Sequence, residues 1–292
     1  NPLPYLNEDG SQRVFRFSRN NPYWVLDNIN LAATVNRVIP VMTFNYNPTN
    51  WLTITERLGA DLYAEQAKYV EAPSSALASV GHIIDQNTNF RQFNNDLIIN
   101  AHKDIGKFST NVLLGSNVIS TFSQYHRGNG LGTSIEDFTN MSNASTITYS
   151  ENNSLQRKVG FYLQANVDYN RFLNLSLTGR YDGSSVLSKE NSFYPYGSVA
   201  AAFIFSEFLG ERARSWVDMA KVRVSYATVG NDLIGPYSLL TPYGSVGVGT
   251  IVFPFQGQSG FALSPNLGNP NLRNERLYEF EVGFEGRFFK NK

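Results

Sequence analysis

The 292-residue chain contains no cysteine, which excludes a disulfide framework and thiolate metal sites. It has only three histidines. His82, His102 and His126 lie far apart, without the HExxH or other ligand spacing of a metal centre. It has no excess of charge, with 24 Lys and Arg against 24 Asp and Glu. That balance argues against a nucleic-acid partner, which would call for clustered cations. No apolar run approaches the roughly 20 residues of a membrane helix. The same test leaves membrane strands open, because these need only about 9–11 residues and alternate. The opening NPLPYLNEDG has neither a basic nor an apolar leader region, so no signal peptide is visible. The expectation is a cleaved leader or a chain that begins in mid-protein.

What is present is alternation. In KVGFYLQANVDYNRFLNLSLTGRYD, Val159, Phe161, Leu163, Ala165, Val167 and Tyr169 share one face; Lys158, Tyr162, Gln164, Asn166 and Asp168 share the other. After Asn170-Arg171 the pattern resumes, with Leu173, Leu175, Leu177 and Tyr181 against Asn174, Ser176, Thr178, Arg180 and Asp182. Period two means β-strand with one dry face. The ribbon recurs in VIPVMTFNY and in WLTITERLGADLY, where Glu56 is the one intruder on the dry face. It recurs around Phe93–Ala101, Phe108–Val118, FYPYGSVAAAFIF, KVRVSYA and RLYEFEVGFEGRFF, giving about nine strands. The phase of FYPYGSVAAAFIF is not fixed by its pattern.

The dry face must press on a second sheet or on lipid, and the connections favour lipid. They read short at 47–50, long at 64–89, short at 103–107, long at 120–153 and short at 170–171. Medium connections follow at 184–192 and 206–218, the second a short helical turn, and then a long one at 229–274. Outer-membrane barrels have short turns at one rim and long loops at the other. Tyr46, Trp51, Tyr63, Tyr169, Phe172, Tyr181, Phe288 and Phe289 fall near the expected strand ends, as an aromatic girdle would. Single-chain bacterial barrels usually close with an even strand number, so nine points to an internal segment of a larger barrel.

Several segments resemble the SusC/RagA family of TonB-dependent outer-membrane transporters. KVRVSYATVGNDLIGPY (221–237) and NPNLRNERLYEFEVGFEGRFFKNK (269–292) carry the closest matches, with Ala227 and Lys292 departing from the usual glycine and arginine. RYDGSSVL (180–187), FYPYGSVAAAFIFSEF (193–208) and NNPYWVLDN (20–28) follow in matching order and spacing. The resemblance implies an all-β, antiparallel transmembrane β-barrel segment, part of a 22-stranded barrel filled by a plug, in the bacterial outer membrane. Residues 1–292 would be barrel domain, with plug and N-terminal extension outside this chain. It further implies import of oligosaccharides or oligopeptides, a SusD-like lipoprotein lid, and energy from the TonB complex through the plug region.

No cofactor or metal is expected, and no enzymatic activity. GSVGVGT (244–250) lacks the strand, helix and acidic residue that would make it a dinucleotide turn, and reads as a flexible loop. Asp182, Ser184 and Ser185 have no histidine placed to make a nucleophile, and turn chemistry explains them. Glu279, Glu281 and Glu285 line up on the wet face, suited to basic plug residues. The candidate ligand contacts are mouth-loop aromatics: Tyr23, Trp24, Tyr125, Tyr237 and Tyr243, together with Tyr5. Flat rings give contact area at low entropic cost, although packing within ordered loops or contact with the lid protein accounts for any single one more readily. A passive porin or surface adhesin is the alternative from another class, and a soluble carbohydrate-binding sandwich a third.

Overall fold

The computed structural model describes residues 3–14, 16, 18–135, 137–244 and 253–289. The glycine run 245–250 and the terminal 290–292 lie outside the described residues. A helix α1 (Pro22–Asn28) precedes β1 (Ile29–Val38), β2 (Val41–Thr49), β3 (Leu52–Glu71), β4 (His82–Ile105) and β5 (Phe108–Thr133). Next come β6 (Ala144–Tyr169), β7 (Leu173–Ser184), β8 (Phe193–Ile204), a short α2 (Glu211–Arg214) and β9 (Val217–Asn231). Two-residue β10 (Tyr243–Gly244) and β11 (Ala262–Leu263) pair with each other, and β12 (Glu275–Phe288) ends the series. The helix starts where Asn21 accepts a hydrogen bond from the Tyr23 amide and Pro22 takes the first turn, both favoured at a helix N-terminus. The β6–β7 connection turns tightly because Asn170 and Arg171 both adopt positive φ, 47° and 65°, as a primed hairpin turn demands.

The main sheet runs β1-β3-β4-β5-β6-β7-β8-β9-β12, with β2 also paired to β3. Val38 lies opposite Leu62 and Val41 opposite Gly59, so no residue is gained or lost across Ile39-Pro40. Proline has no N–H to offer the ladder, and β1 and β2 are one edge pass divided at Pro40. The expected nine passes are there. The first one starts at Ile29, nine residues earlier than the alternation in VIPVMTFNY suggests.

The expected long connections are shorter than the sequence indicated. Strand continues through 64–71, 82–89, 120–133 and 144–153, leaving ten-residue connections at 72–81 and 134–143. In these extensions the side of β4 that carries Phe93 and Leu97 lower down carries Asp85, Asn87 and Asn89 instead. A strand wet on both faces has no hydrophobic period to read. The 206–218 connection is helical as expected, with a 3₁₀ turn at Phe205–Phe208 before α2.

The chain divides into two compact units. The first comprises Asn1–Pro40, Ala60–Gln92 and Thr121–Leu155. Here the N-terminal segment is tied to the 72–81 connection by buried polar groups. Gln12 donates to the Ser74 carbonyl (3.1 Å) and accepts from the Asn21 amide (2.6 Å), while Asn20 accepts from the Ala76 amide (2.7 Å). Glu71, only 3% exposed, is held by the Ser75 hydroxyl and by Tyr69 at 2.9 Å.

The second unit comprises Val41–Gly59, Phe93–Ser120 and Gln156–Lys292. The β6–β7 register pairs Phe161 with Tyr181, Ala165 with Leu177 and Val167 with Leu175, which places the expected dry residues on one side. Pairing of Tyr196 with Arg180 and of Val199 with Leu177 fixes the open phase of β8: Tyr194, Tyr196 and Ser198 are on the polar side. The dry side is uncovered. Phe161, Leu175, Leu177 and Phe280 are 52%, 45%, 50% and 67% exposed. A sandwich would bury these against a second sheet, so that reading fails. Glu56, the intruder on this side, accepts a hydrogen bond from Asn95 of β4, and the polar pair satisfies itself.

Gly179 and Gly197 lie opposite each other on the apolar side. A Cβ on Gly197 would run into the Thr178 carbonyl oxygen, which is backbone and has no room to yield, whereas one on Gly179 would meet nothing within 4 Å. Gly197→Ala should therefore destabilise the β7–β8 pair by about 1–3 kcal/mol, with Gly179→Ala near neutral. Unfolding midpoints of the two variants in denaturant check this; equal midpoints would contradict the close approach.

Candidate functional site

The side opposite the apolar one carries the chemistry, and each unit has its own cluster. In the first unit, β1 and β3 set Arg37 across from Tyr63. The Arg37 guanidinium grips Asp61 in a two-point contact at 2.7 and 2.6 Å, the geometry that makes arginine–carboxylate pairs specific. It also lies 5.9 Å from the Tyr63 ring centre. Tyr63 stacks on Phe90 with centroids 4.8 Å apart and planes 17° apart. Tyr63 is thus mid-strand on the polar side and does not belong to a girdle near a strand end. Further along, Tyr125 donates to Gln86 at 3.1 Å.

In the second unit, Arg180 lies between two rings, 5.1 Å from Tyr162 and 5.9 Å from Tyr196. It donates to the Tyr196 hydroxyl at 3.0 Å and to Asp182 at 3.1 Å, and Tyr196 donates in turn to Asp182. Tyr162 can lie flat because Gly115 beneath it has no Cβ, which would collide with the ring. Arg180, Tyr196 and Asp182 each bond to the other two, and a mutually bonded network of this kind restricts its side chains. Asp182 is therefore a network member and not turn chemistry. Ser184 closes β7, and Ser185 accepts from the Arg157 amide at 2.9 Å.

Beyond this network stands the root of the 232–274 connection. Lys158 donates to Asp232 at 2.5 Å, and Asp232 is only 8% exposed. Burial pushes the Asp232 carboxyl up, but the Lys158 ammonium beside it outweighs this and holds the group below the ordinary aspartate value. Val186, Leu187 and Tyr194 pack beside it with Ile234 and Leu272. On β12, Glu285 pairs with Lys221 at 2.7 Å, so that one of the three aligned acids finds its cation within the sheet.

The expected ligand aromatics are dispersed. Tyr5 and Tyr23 are neighbours, 6.4 Å between centroids, with Tyr5 donating to Asp27 at 2.7 Å. Trp24 is 2% exposed; it anchors α1 and offers no face to a ligand, because the helix turns it inward. Tyr125 is on strand β5 and not in a loop, since the strand runs on past the apolar pattern. Tyr237 and Tyr243 are exposed, the former at a positive φ of 69°. Among the histidines, His82 hydrogen-bonds Asn129 at 2.7 Å, His126 meets Tyr149 at 2.5 Å and His102 approaches Asp104 at 3.9 Å. Among the described residues no group of His, Asp and Glu could hold a metal ion. The alternation put Arg180 and Asp182 on the wet side but not in contact; Tyr63–Phe90 and Arg180–Tyr196 depend on register, which single-strand patterns do not carry.

Among the described residues no helix is long and apolar enough to cross a membrane, which says nothing of strands. Known proteins supply the remaining evidence. TonB-dependent receptor P26 of Formosa agariphila is 27% identical over 99% of this chain, and TonB-dependent receptor P39 of the same organism 23% identical over 97%. The chain spans 30% and 27% of their lengths. Among solved structures, the RagAB peptide transporter superposes with a TM-score of 0.79 at 17% identity, covering 94% of this chain and 30% of that one. The siderophore receptor PiuA from Acinetobacter baumannii gives 0.51 at 13% identity, over 89% of this chain and 38% of that one. These likenesses show the fold, an antiparallel sheet that is part of an outer-membrane barrel. A family profile described as TonB dependent receptor-like, beta-barrel, matches residues 3–292, and with its uncovered apolar side and its polar, networked side the chain belongs to that family of bacterial outer-membrane proteins.

Proposed function

We propose that this chain forms part of the wall of an energised nutrient importer, which takes up oligosaccharides or oligopeptides through a plugged barrel driven by TonB and lidded by a SusD-like surface lipoprotein. The uncovered apolar side meets lipid, and the polar side surrounds the path of the cargo. The arrangement of the polar side carries the reading. Arg37 pairs with Asp61 and Arg180 with Asp182 there, and aromatics are held beside them, Tyr63 on Phe90 and Tyr162 and Tyr196 about Arg180. Such a surface binds and positions polar molecules without covalent chemistry, and no enzymatic role is assigned to it. Exposed Tyr23, Tyr237 and Tyr243 add stacking faces in the loops, and the likeness to a peptide transporter supports the same class of task.

Deleting the gene that encodes the protein should abolish growth on the cognate glycan or peptide as sole nutrient, and restoring it should return growth. Collapse of the inner-membrane proton gradient should stop uptake while leaving surface binding intact. Unimpaired growth of the deletion strain on every polymer tested, or uptake that survives loss of the gradient, would contradict an energised importer.

A further inference from the structure

The first unit contains a small cavity of about 230 Å³ on its polar side, lined by Leu31, Ala67, Tyr69, Ile84, Gln86 and Arg127. Its six lining residues come from β1, β3, β4 and β5. Arg127 is the only cation among them, and it has no carboxylate: among the described residues no ion pair includes it, and its Nε is shut off from solvent without a hydrogen-bond partner. Neighbouring groups are already engaged. The Tyr69 hydroxyl donates to Glu71 at 2.9 Å, Gln86 accepts from Tyr125 at 3.1 Å, and Glu71 is buried with Ser75. The polar groups of Tyr69 and Gln86 are therefore spoken for, and the guanidinium stands without a carboxylate beside Leu31, Ala67 and Ile84. A shielded cation without a counter-charge is costly, whereas Arg37 and Arg180, also on the polar side of their units, each have an aspartate.

We infer that this cavity takes the terminal carboxylate of an oligopeptide cargo, with the apolar side chain of its last residue set against Leu31 and Ile84. This rests on the importer reading and names the cargo class for it. A carboxylate would neutralise the guanidinium through charge-assisted hydrogen bonds. The walls choose between sources of that carboxylate. Apolar Leu31, Ala67 and Ile84 suit a hydrocarbon side chain, whereas a sugar acid would present hydroxyls to groups that cannot pair with them. The volume is below that of a pocket for a whole small ligand, and fits one terminal residue.

The test uses the purified full-length protein and three probes: a heptapeptide ending in leucine, the same peptide with an amidated C-terminus, and an oligouronate. Binding is read by calorimetry, without energisation. The free acid should bind roughly tenfold or more tightly than the amide. Arg127→Gln should reduce the acid to the affinity of the amide and leave the amide unchanged; Arg127→Lys should recover part of the difference. Equal binding of acid and amide, equal loss of both in Arg127→Gln, or binding of the oligouronate alone would each overturn the assignment. Uptake is scored separately, so acid-selective binding with no energised uptake would count against the importer and not against the carboxylate site.

Discussion

Leu177→Arg should abolish or sharply reduce assembled protein in the outer membrane, while Ser176→Arg, one residue away, should assemble near normally. Leu177 is half exposed on the apolar side, and Ser176 belongs to the polar side, opposite Asn166 of β6. A charged residue on the lipid face of a membrane barrel costs about 2–4 kcal/mol near mid-bilayer. That is a large fraction of the net stability of a protein domain, about 5–15 kcal/mol. An arginine among Asn166, Thr178 and Arg180 meets water and polar groups and loses little. The readout is the fraction of barrel that migrates as the compact, heat-modifiable form, compared between the two variants. Equal yields would mean that the two sides of β7 face the same environment, and the lipid assignment would fall with them.

The second large effect concerns the root of the 232–274 connection. Lys158→Met should leave the Asp232 carboxylate, 8% exposed, without its cation. Removing one partner of a buried pair costs more than the pair was worth, because the other charge stays desolvated. Lys158 is 39% exposed, so water shares the load and about 1–3 kcal/mol is expected. The loss should appear as faster chymotryptic cutting at exposed Phe261 and Leu267 in the same connection. Pairing Lys158→Met with Asp232→Asn should restore much of the resistance, since no charge is then stranded.

The pH dependence has a definite sign. Asp232 is held below the ordinary carboxylate range in the folded protein, so the folded state favours the ionised form. The stabilisation is full above the unfolded value, about pH 3.9, and is lost as pH falls through the lower folded value. Protease resistance of the wild type should thus be flat from neutral pH to about 4 and decline below it, whereas in Lys158→Met it should already be low at neutral pH. A wild-type profile that weakens as pH rises above 6 would contradict the pairing.

How much of this was legible in the sequence depends on where each residue sits relative to the bilayer. Val159–Tyr169 and Leu173–Tyr181 gave their strand identity and facing directly, because lipid on one side and water on the other imprint a period of two. Glu281 and Phe280 on β12 are as plain. Ile29–Arg37, 64–71 and 120–133 are strand, although the sequence assigns the last two to connections. Residues 64–71 and 120–133 carry polar residues on both faces, which leaves little mark on the hydropathy, whereas Ile29, Leu31, Ala33 and Val35 do alternate and their strand was legible. The same blindness misplaced Tyr125 in a loop and Tyr63 near a strand end. Nothing in NNPYWVLDN tells which way a short helix turns its tryptophan, and the structure turns Trp24 inward.

The sequence by itself determined the class: an all-β chain with alternating faces, Asn-Arg and Gly-Lys turns, no helix to cross a bilayer, and motifs of a TonB-dependent transporter. The tertiary structure alone decided the site. Tyr63 on Phe90, Arg180 between Tyr162 and Tyr196, Lys158 on Asp232 and the unpaired Arg127 each join residues from different strands. Facing is a local property, set by the pleat of one strand and its two solvents. Partnership is set by the register between strands, which cross-strand hydrogen bonds and packing fix together and no single strand encodes.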